Sequence, residues 1–284
     1  MRKPSFSTLM LMIGLLFLYL PMLVLVVYSF NSSRLVTVWA GFSPRWYLEL
    51  FRDQQILSAV WTSLRIAFFS ASMAVCLGTL AAFVMVRFGR FRGKTALSSM
   101  VTAPLVMPEV ITGLSLLLLF VHMAQLVGWP TDRGMTTIWI AHTTFCSAYA
   151  AVVVASRLRE VDISLEEAAM DLGARPVQTF FRITLPIITP AVAAGWLLAF
   201  TLSLDDLVVA SFVSGPGATT LPMVVFSSVR LGVSPKINAL ATLIILVVSL
   251  ATFFAWYLMR RSEARRRQAI LQDMTAGRQA GPGA

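Results

Sequence analysis

Three carboxylates, Glu109, Asp205 and Asp206, interrupt long runs of apolar residues. If those runs lie in a bilayer, each acid costs ~2.5–3.5 kcal/mol to insert near its centre. Acids kept at such a cost mark a pathway, a proton relay or a hydrogen bond between helices. Pro104 and Pro108 stand just before Glu109 and free backbone carbonyls there, a break tolerated where a helix lines a polar cavity. Thr201 and Ser203 make the stretch before Asp205 polar as well. Adjacent residues of an α-helix point about 100° apart, so Asp205 and Asp206 cannot face one partner equally. Either one faces a pathway while the other caps or pairs locally, or both are structural acids at a helix end at the membrane edge. The spacing leaves both divisions open.

Other chemistries find little support. His122 and His142 are isolated in sequence, and Cys76 and Cys146 lie in apolar runs without a CxxC pattern, so all four read as packing residues, with no metal and no nucleophile–base set. Gly89-Arg-Phe-Arg-Gly93-Lys94-Thr95 imitates a phosphate-binding loop, but only three residues separate its glycines where the working loop has four. It also follows an apolar helix instead of a strand. ATP binding by this chain is therefore not expected.

The elements that must position the acids are membrane helices. Of the 284 residues, 57% are hydrophobic and 13% charged, and the mean hydropathy is +0.78, which excludes an ordinary water-soluble domain. Blocks of about 20 apolar residues, enough to cross a hydrocarbon layer, run over Thr8 to Phe30, Ile66 to Val86, Leu97 to Val121, Ile138 to Ala155, Ile187 to Phe212 and Ala239 to Met259. The expected fold is thus an all-α integral membrane protein with six transmembrane helices. The first block is longer than a signal-peptide core and lacks a small-x-small cleavage site, so it reads as an uncleaved anchor.

An even number of spans puts both termini on one side. That side's segments carry 16 of the 23 basic residues, against 7 on the other, so the termini are assigned to the cytoplasm and nucleic-acid binding is set aside. Residues 1–7 form a short cytoplasmic N-terminus, 8–260 the membrane domain, and 261–284 a basic cytoplasmic tail. The tail's Arg265, Arg266 and Arg267 face lipid, and its Gly/Ala/Pro-rich end from Thr275 is expected to be disordered. Asn31 to Arg65 reads as a long outer stretch, and Ser214 to Pro222 as a turn-rich segment leading into an apolar one.

The longest inner loop, Ser156 to Leu185, has a different character. Ser164 and Glu167 have capping-box spacing, so a short helix should begin near Leu165; Gly173 can end it in a left-handed cap and Pro176 can open a second one. Glu167-Ala168-Ala169, three residues, Gly173, nine residues, then Ile183-x-Leu185-Pro186 reproduces a specific pattern. It resembles, at every motif position, the EAA signature of permease subunits of binding-protein-dependent ATP-binding cassette (ABC) importers.

The resemblance spans roughly residues 8 to 260. Tyr28-Ser29-Phe30-Asn31, Ala103 to Glu109, Ser203-Leu204-Asp205-Asp206 and Gly215-Pro216-Gly217 are similar to the polyamine branch of these permeases in Gram-negative bacteria. It implies the type I ABC importer permease fold in the bacterial inner membrane, with residues 164–186 as the coupling segment. A second related permease, two cytoplasmic ATPase subunits that hold ATP and Mg, and a periplasmic polyamine-binding protein are implied as partners. This chain itself would carry no cofactor and hydrolyse nothing. Separated carboxylates suit a dication such as putrescine, so Glu109, Ser203, Asp205 and Asp206 are the expected substrate-pathway residues. Charge alone does not separate putrescine from spermidine. The competing reading is a self-sufficient secondary transporter of a cationic amine with Glu109 or Asp205 as proton relay. The lack of an internal inverted repeat speaks against it.

Overall fold

The apolar runs become helices throughout. The computed structural model describes residues 6–35, 38–232 and 234–279. Its elements are α1 (Phe6–Tyr28), α2 (Arg45–Arg52), α3 (Gln54–Arg87), α4 (Lys94–Val106), α5 (Glu109–Val127), α6 (Met135–Glu160), α7 (Ser164–Asp171), α8 (Pro176–Thr179), a π-helical turn (Phe180–Thr184), α9 (Leu185–Asp205), α10 (Val208–Val213), α11 (Leu221–Leu231) and α12 (Pro235–Gln279). Six stretches among the described residues are long and apolar enough to cross a membrane. They coincide with the six expected blocks, with shifted ends.

Two units result. The first combines α1, α2 and the following chain up to Arg52 with the chain from Leu231 onward. α1 is apolar all round and exposes nearly its whole surface, as a helix facing lipid does. After it, the buried Asn31 ties a loop: its carboxamide accepts the N–H groups of Ser33 and Ala40 and donates to the Val38 carbonyl. α12 continues through Gln279, so the stretch from Thr275 expected to be disordered is helical that far, and the last five residues lie outside the described ones. Residues 261–279 are rich in Arg, Ala and Gln, strong helix formers that outweigh the single Gly277.

The second unit, Asp53–Arg230, holds the candidate site. Its frame is α3, α6 and α9, which pack closely because small residues face one another. A Cβ on Gly78 would come within 2.8 Å of Ala150 Cβ and of the Ala151 backbone nitrogen. Gly195 and Ala199 of α9 are buried in the same seam, where the Cys146 thiol meets the Ala199 carbonyl at 3.4 Å. Cys146 is a packing residue as expected; Cys76, expected to be buried, is exposed, because its face of α3 lies outside this seam.

Two expected spans are broken, and several element ends differ from the expected ones. α3 begins at Gln54, within the expected outer stretch, because the Asp53 carboxylate caps it by accepting the Ile56 N–H at 3.3 Å. Arg65 then stays helical with its guanidinium over the Trp61 ring, 4.7 Å from the centroid. The third span is two helices, α4 and α5, parted at Met107–Pro108, since a proline N has no proton for the helix ladder. The fifth span is likewise parted after Asp205, with α10 following as a separate turn. Between α3 and α4, Gly89 to Gly93 forms a turn: Gly93 takes the left-handed conformation (φ 94°), and Lys94 Nζ donates to the Phe88 and Gly89 carbonyls past the end of α3.

Candidate functional site

Both helix breaks open onto one cavity of about 470 Å³, within the usual size of a small-ligand site. Glu109 reaches it as the first residue of α5, directly after the Pro108 break, and Asp205 as the last residue of α9. Both acids are exposed. Phe145 and Tyr149, one turn apart on α6, add two aromatic faces to the lining, and Thr112 adds a hydroxyl. The arrangement offers two separated negative charges and two π-faces, which is chemistry for a cation with more than one ammonium group.

Asp206 touches the same cavity but is spent on its own protein. Its side chain is 5% exposed. Oδ2 accepts the Ala210 N–H at 2.7 Å and Oδ1 the Val209 N–H at 3.3 Å, so the carboxylate satisfies two donors that the break leaves without helical partners. The Nε2 atom of His142, on α6, lies 3.1 Å from Oδ2, and the other ring nitrogen, Nδ1, is 2.7 Å from Ser203 Oγ. His142 and Ser203 are buried. Of the four residues expected on a pathway, the structure gathers Glu109, Asp205 and Asp206 at one cavity and sets Ser203 behind it, against His142. The role of His142 escaped sequence reading, because nothing local ties a lone histidine to an acid 64 positions away. The signal that existed was Asp206 itself, an acid immediately before a short apolar run, which is N-cap chemistry.

At one end of α3 and α6 lies the segment Val161 to Pro186. α7 begins at Ser164, one residue earlier than expected; its N-cap is Ile163, and the preceding Asp162 supports the start through Oδ1, which accepts the Ser164 N–H at 3.0 Å. That hydrogen bond holds the Asp162 carboxyl below the usual carboxylate range. The expected Ser164–Glu167 box is not formed, and the Asp162 turn stands in its place. The far end follows expectation: Gly173 is left-handed (φ 88°), its N–H bonds the Met170 carbonyl at 2.9 Å, and the Ala174 N–H bonds the Ala169 carbonyl at 3.0 Å, a Schellman closure. Pro176 then opens α8.

Glu167 and Ala168 are exposed, Ala169 is half-buried, and α7 thus presents the motif face outward. Ile183 and Leu185, half-buried, and Pro186 carry the chain through the π-helical turn into α9, where Leu185 packs against the cluster of Val154, Leu158 and Ile188. The neighbour of the motif acid, Glu166, is turned inward. It meets Arg87, the last residue of α3, with Nε to Oε1 at 2.9 Å, and Arg87 Nη2 donates to the Val161 carbonyl at 3.0 Å. The two side chains are 10% and 9% exposed. Sequence reading counted Arg87 only as an orientation charge and passed over Glu166. No group of three His, Cys, Asp or Glu residues that could hold a metal occurs among the described residues.

Comparison with known proteins gives the family. Residues 74–268 match the family described as "Binding-protein-dependent transport system inner membrane component". The chain is 69% identical over 256 residues to the putrescine transport system permease protein PotI of Escherichia coli K12, covering 90% of this chain and 91% of that one. It is 43% identical over 249 residues to the spermidine/putrescine transport system permease protein PotC of the same organism, covering 88% and 91%. Among solved structures, a bacterial alginate ABC transporter in complex with its alginate-loaded periplasmic protein superposes with a TM-score of 0.68 at 18% identity, covering 87% of this chain and 90% of that one. That match concerns the fold alone. The secondary-transporter reading falls with these findings, and the chain belongs to the inner-membrane components of binding-protein-dependent transport systems, as a non-catalytic permease subunit of an ABC importer.

Proposed function

We propose that this permease carries putrescine, or a closely related polyamine, through a pathway that it shares with a second, related permease. One observation carries the reading: carboxylates from two different helices, Glu109 and Asp205, open into a single cavity that also offers the rings of Phe145 and Tyr149. An ammonium over an aromatic face gains ~0.5–2 kcal/mol, and two separated acids attract the two ends of a diamine. The 69% identity to a permease named for putrescine supports that substrate over a neutral or acidic one. Binding here must stay weak enough for release, so selection is left to the periplasmic binding protein.

Two cytoplasmic ATPase subunits drive the cycle. The surface of α7 carrying Glu167, Ala168 and Ala169, closed by Gly173 and continued through Ile183, Leu185 and Pro186, is the coupling segment that seats on an ATPase. Its motion tilts the spans between inward-open and outward-open states. Both termini lie in the cytoplasm, residues 8–260 form the membrane domain, and the basic residues after Arg260 lie against anionic lipid.

The test uses the complete transporter in proteoliposomes, supplied with loaded binding protein. Glu109→Gln and Asp205→Asn should each lower putrescine uptake per ATP hydrolysed at least tenfold while the ATPase still responds to the binding protein. Wild-type uptake per ATP in both variants would overturn the cation site.

A further inference from the structure

The neighbouring acids Asp205 and Asp206 have opposite surroundings. Asp205 is exposed to the cavity; Asp206 is held between the backbone of α10 and His142. We infer that His142 is a positioning residue for translocation: it fixes Asp206 as the clasp of the α9–α10 break, and so leaves Asp205 as the single mobile charge on that wall of the cavity. The inference rests on the cation reading of the cavity given above.

The atoms around the imidazole fit this task. The imidazole stands between both neighbours: Nδ1 is 2.7 Å from the Ser203 hydroxyl, and Nε2 is 3.1 Å from Asp206 Oδ2, a close polar contact rather than an aligned hydrogen bond. The ring is fully buried, with Phe145 at 5.4 Å between centroids on the side towards the cavity, so it does not touch a substrate directly. Phe145 is itself a cavity residue, and the clasp therefore also sets the wall on which an ammonium would rest. Without the imidazole beside it, Oδ2 keeps its Ala210 N–H bond but loses its close polar neighbour on α6, and the carboxylate gains by turning towards the wet cavity, where it would add a second charge beside Asp205.

The geometry separates this from a binding role for Asp206. In Asp206→Asn the amide oxygen can take the Oδ2 position and keep both the 2.7 Å bond from Ala210 and the contact with His142, losing only the 3.3 Å bond from Val209. Asn caps a helix start about as well as Asp. A residue that works through its cap should tolerate this change, and one that works through its charge should not.

The experiment measures uptake of radiolabelled putrescine per ATP hydrolysed in the reconstituted complete transporter. Asp206→Asn is expected within about twofold of wild type, against the tenfold or greater loss in Asp205→Asn. His142→Leu should lose at least fivefold at normal complex yield, and adding Asp206→Asn to it should restore most of the loss, since no carboxylate charge then faces the leucine. If His142→Leu does not assemble, Asp206→Asn alone decides: a loss as large as that of Asp205→Asn overturns the inference. Failure of Asp206→Asn to relieve an assembled His142→Leu overturns it too. Wild-type ratios for both Glu109→Gln and Asp205→Asn would instead remove the cation reading, and the clasp would then stand or fall on the relief of His142→Leu alone.

Discussion

Replacing Glu166 by Gln should loosen α7 from the membrane helices while leaving the outward face of the motif intact. Breaking one partner of a buried ion pair costs ~3–5 kcal/mol when the remaining charge stays uncompensated. Here the Gln oxygen still accepts from Arg87 Nε, and Arg87 keeps the Val161 carbonyl at 3.0 Å, so the loss is smaller, about 2–3 kcal/mol. At 1.4 kcal/mol per factor of ten, that is roughly a 30- to 150-fold shift in the balance between seated and released α7. Hydrogen exchange reads this directly: amides of Ala169 to Leu172 should exchange faster by about that factor in the assembled complex. Uptake per ATP should fall in parallel, because an ATPase pushing on a released helix moves nothing behind it. Glu167→Gln, one residue on and exposed, should leave the exchange of α7 unchanged, and Glu167→Lys should lower the uptake-to-ATP ratio through the ATPase contact alone. Unchanged exchange and an unchanged ratio in Glu166→Gln would refute the view that Arg87 anchors the segment.

Orientation can be read with single cysteines in a Cys76→Ala background: one at Val177, exposed on α8, should react with a membrane-impermeant thiol reagent only after the inner face is opened, and one at the exposed Thr219 should react from the periplasm. The reverse pattern would invert the topology and remove the coupling role. Close packing gives a paired test by thermal unfolding of the purified complex. Gly78→Ala forces a Cβ to within 2.8 Å of Ala150 and should destabilise by about 1–3 kcal/mol, whereas Gly195→Ala, with its nearest neighbour at 3.6 Å, should be close to neutral.

What the sequence made legible was what local physics decides. Runs of about 20 apolar residues have no other stable use than a membrane span, so the six spans could be counted directly. The left-handed Gly173 and the helix start at Pro176 follow from conformational preferences of single residues, and both are present. Pro108 announced the α4–α5 break for the same reason. Where a polar group's partner is distant along the chain, pattern reading failed. Glu166 and Glu167 are chemically identical neighbours, and only a turn of about 100° between them, together with an arginine 79 positions back, pairs one inside the protein and leaves the other exposed. The same holds for Asp205 and Asp206, which differ because His142 stands behind one of them.

The two breaks also explain why the acids are affordable at all. A continuous helix buries its carbonyls and N–H groups in its own ladder and offers a charged side chain nothing but lipid or another helix. Parting α4 from α5 and α9 from α10 frees backbone groups next to the cavity, and each acid sits at one of those openings: Glu109 at the start of α5, where the helix dipole favours a negative charge, and Asp206 on the freed N–H groups of α10. Asp205 lacks such a clasp. It ends α9, where the dipole opposes its charge, and it is exposed to the cavity. A carboxylate in that position is stabilised most by an arriving cation, so the least compensated of the three acids is the one a passing ammonium group would meet.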